Sequence, residues 1–147
     1  PLNGFVNSLK PVVHSPLFTH SNQETHLLIL DAYWNAILKI YPGCLTEPQK
    51  YSLQKSLGVS VMHSIFNDVA EIARKSGEDH LQNPEIFHEI LNEPLSDLLG
   101  TNGDGEEARS QNFWLSGKSG AAGGFSSGAG KKVLINRLKN NIKKGNE

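Results

Sequence analysis

The sequence predicts an all-α protein, and three observations carry that expectation. Two S/T-x-x-E/Q capping patterns, Ser21-x-x-Glu24 and Thr46-x-x-Gln49, are each followed by a helix-forming run. Apolar residues recur at three- and four-residue steps in the longer segments. No segment alternates with period two between hairpin turn signals. We therefore expect five or six helices in an orthogonal or bundle-like arrangement, with a Gly/Ser-rich loop before the last. At 147 residues the chain has the size of one domain, 1–147, with residues 100–130 rich in loop.

Residues 1–20 mix Pro, His and Ser with scattered apolar positions and read as an irregular entry or a short helix before Pro11. The next segment, SNQETHLLILDAYWNAILKIYPG, predicts a helix over 22–41 that stops at Pro42-Gly43. Leu27, Leu30, Trp34, Ile37 and Tyr41 form its expected buried row, and Asp31, Asn35 and Lys39 a narrow opposing stripe. A helix apolar around most of its circumference belongs in the centre of a fold.

From Thr46, with Pro48 in the first turn, a second helix is expected through KYSLQKSL, and Gly58 marks a bend or a close crossing. Val59–Lys75 predicts a third, with Met62, Ile65, Phe66, Val69, Ile72 and Ala73 inward, His63, Asn67, Glu71 and Lys75 outward, and Gly77 as terminator. Asn83-Pro84 opens PEIFHEILNE with Ile86, Phe87, Ile90 and Leu91 inward; Pro94 should end or kink it before a last apolar turn, LSDLLG. Residues 100–112 read as a polar loop and Phe113-Trp114-Leu115 as an apolar anchor. The segment SGKSGAAGGFSSGAGKK, 116–132, then leads as a hinge into KKVLINRLKNNIKK, with Leu134, Ile135, Leu138 and Ile142 as a buried stripe.

Composition narrows the function classes. No apolar run approaches the roughly 20 residues of a membrane span, so no membrane partner is expected. The single cysteine, Cys44, cannot form an internal disulfide, which favours a cytoplasmic origin and excludes a cysteine-only metal cluster. The chain opens at Pro1 without a leader pattern and reads as the later part of something longer. Its net charge of −1 hides a split. Residues 76–108 hold nine acids and no Lys or Arg, whereas 113–147 hold seven bases against Glu147 alone. That asymmetry suits a nucleic-acid partner, and it equally suits docking of the basic tail on the acidic stretch of the same chain.

Motifs for catalysis fall short. GAGKK resembles the end of a phosphate-binding loop, but Phe125 stands where the first glycine belongs and Lys132 where a magnesium-binding hydroxyl belongs. Gly124-Phe125-Ser126-Ser127-Gly128 fits G-x-S-x-G formally, yet all six histidines precede Ser126 and no strand leads into it. HEILN at 88–92 has Asn where a zinc helix needs its second His, and the other histidines lack ligand spacing. No catalytic residue, metal or cofactor is assigned. The terminal helix is more informative: Lys131, Lys132, Arg137, Lys139, Lys143 and Lys144 flank its apolar stripe. Ser126 or Ser127 is a candidate N-cap, and with Gly128 and Gly130 it could offer backbone N–H groups to a phosphate.

Three segments in this order, WNAILKIYPGCL (34–45), KYSLQKSLGVSVMHSIF (50–66) and FWLSGKSGAAGGFSSGAGKKVLINRL (113–138), together resemble the region downstream of the signature in bacterial DGQHR-domain proteins. The resemblance spans about residues 25–140 and rests on apolar and glycine positions. That family includes a regulator of DNA phosphorothioation and proteins found with 7-deazaguanine DNA modification and other defence systems. The pentapeptide itself is absent; Asp104-Gly105-Glu106-Glu107-Ala108-Arg109 only echoes its ends. The resemblance implies that the ParB- or sulfiredoxin-like core lies in an N-terminal part outside this sequence, and that this part is a partner of the chain. It further implies DNA binding or regulation in a modification or defence system, through the terminal basic helix. Two alternatives remain open: a protein-interaction module without nucleic-acid affinity, and the non-catalytic part of an enzyme whose active site lies in that N-terminal region.

Overall fold

The computed structural model describes residues 9–13, 23–77, 81–98, 110–117 and 120–146, apart from the side chains of Pro11, Val13 and Gln23. The expectations for the Ser21 cap, most of the entry segment and most of the 100–112 loop fall outside these residues. Within them the protein is all-α. Six α-helices run in order: α1 Lys10–Val13, α2 Gln23–Ile40, α3 Pro42–Thr46, α4 Ser56–Ser76, α5 Pro84–Ser96 and α6 Gly128–Gly145. Two 3-10 turns, Pro48–Lys50 and Ala121–Phe125, complete the named elements. The sole β-type pairing among the described residues is an isolated antiparallel bridge between Tyr51 and Leu115.

One continuous apolar cluster joins the elements. α2 packs on α5, α4 packs on α5, and α6 lies across α4, α5 and the Ala121–Phe125 turn. Aromatic rings form the centre. Tyr33 meets Phe66 of α4 and Phe87 of α5 edge-on, at centroid separations of 5.1 and 5.6 Å, geometry that the ring quadrupoles favour. Its hydroxyl donates to the Met62 carbonyl at 2.6 Å, and the Tyr41 hydroxyl donates to the Leu95 carbonyl at 2.6 Å. Both bonds satisfy a polar tip that burial would otherwise penalise.

The buried row of α2 differs from the expected one. Ile29, Ala32, Tyr33, Ala36, Ile37 and Tyr41 are buried, whereas Leu27 is 61 % exposed and Leu30 and Trp34 are only partly covered. The outward stripe of Asp31, Asn35 and Lys39 is as expected. The Pro42-Gly43 stop also holds in part: α2 ends at Ile40, but Pro42 then begins α3 in its first turn. Tyr33 reaches two aromatic partners, and in a helix apolar nearly all round that contact decides which row turns inward.

The helix expected from Thr46 onward is replaced by a 3-10 turn and an extended stretch. Thr46 lies at the end of α3, with Oγ1 within 3.4 Å of the Gly43 carbonyl rather than capping a new helix. Tyr51 is extended (φ −117°, ψ 151°) and pairs with Leu115, while the Ser52 N–H donates to the Trp114 carbonyl at 2.6 Å and the Ser116 N–H to the Lys50 carbonyl at 2.9 Å. Gln111 fastens the same junction. Its Oε1 accepts from Gly43 N at 2.7 Å and its Nε2 donates to the Tyr51 hydroxyl at 3.0 Å. Phe113 and Trp114 are buried beside these bonds, as the anchor reading expects.

α4 begins at Ser56 and not at Val59, which places Gly58 inside its first turn. A Cβ at Gly58 would collide with the Leu53 carbonyl, so the helix approaches the preceding chain more closely than any other residue allows. Of the residues expected inward, Met62, Ile65, Phe66, Val69 and Ala73 are buried and Ile72 is partly covered, and Val61 and Ala70 join them; His63, expected outward, is buried at 1 % exposure. The Trp34 indole donates to His63 Nε2 at 3.0 Å, which fixes that nitrogen as an acceptor and compensates its burial. α5 starts with Asn83 Oδ1 accepting from Glu85 N at 3.0 Å. It runs through Pro94 to Ser96 rather than ending there. α1 starts at Lys10 and carries Pro11 in its first turn; the short helix expected before that proline lies outside the described residues.

Candidate nucleic-acid interface

The site is built from the Ala121–Phe125 turn and α6. The 116–132 segment, expected as a hinge, contains a packed 3-10 turn: Ala122 is buried, its N–H donates to the Phe113 carbonyl at 2.9 Å, and the Phe125 ring lies 6.0 Å from that of Phe113. Ser126, in the αR conformation, closes this turn, its N–H reaching the Gly123 carbonyl at 3.3 Å. No strand leads into it, so the strand-to-helix elbow of a nucleophilic serine is not formed.

Ser127 is the N-cap of α6: its Oγ accepts from Gly130 N at 3.0 Å. One of the amides expected to face a phosphate is therefore already satisfied. Gly130 serves packing as well, because a Cβ there would lie 2.8 Å from Phe125 Cα. Gly128 is exposed, with open space around it. The four small residues of the predicted site thus start and seat the helix.

Along α6, Leu134, Leu138 and Ile142 are fully buried and Ile135 packs beside them. Burial of each contributes about 1.5–3 kcal/mol, more than a helix with so few intrinsic stabilisers needs for docking. The bases are not equivalent. Lys131 stands on the inward side and is half-buried. Lys139 reaches Asp68 of α4 at 3.6 Å. Lys132, Arg137, Lys143 and Lys144 are exposed, and among the described residues none of the four has an ion pair or hydrogen bond from its side chain. Among the described residues, ion pairing of the basic helix with the chain's own acids is limited to Lys139, whose partner Asp68 lies outside the acidic 76–108 stretch.

Sequence reasoning missed the line running between these bases. Ala129, Val133, Asn136 and Asn140 are spaced i, i+4, i+7, i+11 and are all exposed. The same periodicity that identified the buried stripe places them opposite it, and that is the signal that could have found them.

Burial pushes the Cys44 thiol up to about 12, which keeps it protonated and unreactive near neutrality. Among the described residues no group of three or more His, Cys, Asp or Glu side chains comes together as a metal site, and no helix is long and apolar enough to cross a membrane. Compared with known proteins, the chain matches no family, no curated protein and no solved structure.

Proposed function

We propose that the chain binds nucleic-acid phosphates through the outer face of α6, as the helical part of a DGQHR-type protein that handles DNA in a modification or defence setting. The observation that carries this reading is the set of four exposed, unpaired cations, Lys132, Arg137, Lys143 and Lys144, on a helix without an acidic side chain. Phosphate neutralisation by such residues releases counterions and makes affinity steeply dependent on salt.

Four contacts correspond to a log–log salt slope of about −3.6. A titration of the chain with short duplex DNA over a range of salt concentrations tests the reading. A slope near that value supports it, and absence of binding at low salt removes it in favour of a protein-interaction module.

A further inference from the structure

Resting on that reading, we infer that the outer face of α6 is a base-reading surface for the major groove of B-form DNA, with A·T pairs in its preferred site. The cations do not form one patch. At about 100° per residue, Lys132 and Lys143 lie to one side of the Ala129–Val133–Asn136–Asn140 line, and Arg137 and Lys144 to the other. The buried Leu134, Leu138 and Ile142 lie diametrically behind that line. The helix therefore presents two charged rails with an uncharged strip between them, directed away from the domain.

That layout matches the groove. A B-DNA major groove, roughly 12 Å wide, admits one α-helix between two phosphate walls. The rails meet the walls and the strip meets the base edges. Asn136 and Asn140 are exposed, and among the described residues their side chains have no hydrogen-bond partner. Asn is suited to bond adenine N6 and N7 together, and an apolar side chain to touch the thymine methyl. Val133 supplies the second contact: it is 59 % exposed in the middle of a polar surface, where nothing in the fold uses it. Ala129 at the head of the strip lets the groove floor approach. From Ala129 to Asn140 the strip is about 16 Å long, on the order of five base pairs. A-form RNA, whose major groove is too narrow for side chains to read, does not fit.

The test is selection by the chain from a pool of short duplexes with a randomised centre, followed by titration of the enriched site, a scrambled duplex and a duplex RNA of the same length. The expected result is a site containing A·T pairs, bound about tenfold more tightly than the scrambled duplex. Asn136→Ala with Asn140→Ala abolishes that tenfold preference and leaves the salt slope and far-UV circular dichroism unchanged. Lys132→Gln with Arg137→Gln lowers the slope and keeps the preference. Salt-dependent binding without enrichment, or equal binding of duplex RNA, overturns base reading and leaves phosphate binding standing. Absence of any duplex binding overturns both.

Discussion

α2 and α6 each span 18 residues, yet they hold their places by different means. α2 is fixed along its length by contacts that specify position: the Tyr33 and Tyr41 hydroxyls donate to carbonyls on α4 and α5, and the Trp34 indole donates to His63. Among the described residues, α6 has three fully buried apolar side chains, one serine cap and one ion pair to the domain. A helix tied by directional bonds on several sides has little face left over, whereas one held by a single apolar row leaves most of its circumference available. The difference separates a helix that organises the core from one that presents a surface.

The largest expected effect tests the organising role. Tyr33→Ala removes a fully buried ring together with its contacts to Phe66 and Phe87 and should cost about 4 kcal/mol in a denaturant titration. Leu138→Ala, in the middle of the α6 row, should cost about 3 kcal/mol. A loss below about 1 kcal/mol for Leu138→Ala would mean that α6 is only loosely seated, and the comparison would fail.

Alkaline pH sharpens the same contrast. Burial, with a smaller contribution from the nearby Asp68 charge, raises the Tyr33 hydroxyl well above its ordinary 10.0. Burial likewise raises Tyr41, with Trp114 pulling the other way, and moves the Cys44 thiol from 9.0 to about 12. All three are acids whose folded value exceeds the unfolded one. Their stabilisation is complete below about pH 9 and is lost as pH rises, because the unfolded chain ionises first. Thermal midpoints should stay level to about pH 9 and fall between 9 and 12, and Cys44→Ser should delay the onset of that fall. An onset unaffected by Cys44→Ser would assign the transition to the tyrosines alone.

How much of this was legible in the sequence follows from the range of the forces involved. The start of α5 at Asn83-Pro84, a serine cap on α6 and the buried stripe of α6 are local or periodic signals and stand where the sequence places them, the cap falling on Ser127 of the two serines it offered. The row of α2 was ambiguous because nearly every side of that helix is apolar, and only the partners Phe66 and Phe87 decide. The helix expected from Thr46 was overruled by Trp114 and Leu115, more than sixty residues away in sequence, which draw Tyr51 and Ser52 into an extended pairing. His63 was assigned outward because its helix row is polar, and its indole partner lies on another helix. In the candidate interface the total charge was legible, but its division was not. Lys139 has a partner only because α4 crosses there.

The cap comes next in size. Ser127→Ala should cost about 1 kcal/mol, since it frees the Gly130 amide at the start of α6, and Ser127→Asp should retain most of that stability. Ser126→Ala should be near neutral, because the hydroxyl of that exposed residue makes no bond among the described residues. Equal losses at both serines would show that the Ala121–Phe125 turn, not the cap, sets the start of α6.

The smallest effect on stability should accompany the largest on binding. Lys132→Gln with Arg137→Gln touches no side-chain partner among the described residues, so the folding free energy should change by no more than about 0.5 kcal/mol. The same pair removes two of four phosphate contacts and should bring the salt slope from about −3.6 to about −1.8. Lys139→Gln provides the opposite case. It breaks the contact with Asp68, leaving that carboxylate near the Tyr33 hydroxyl without its cation, so a small loss of stability is expected. Because Lys139 already faces the domain's own acid, the salt slope should scarcely move. If Lys139→Gln instead lowers the slope as much as either exposed base, the ion pair opens on binding, and the division of α6 into a seated side and a presented side lies elsewhere.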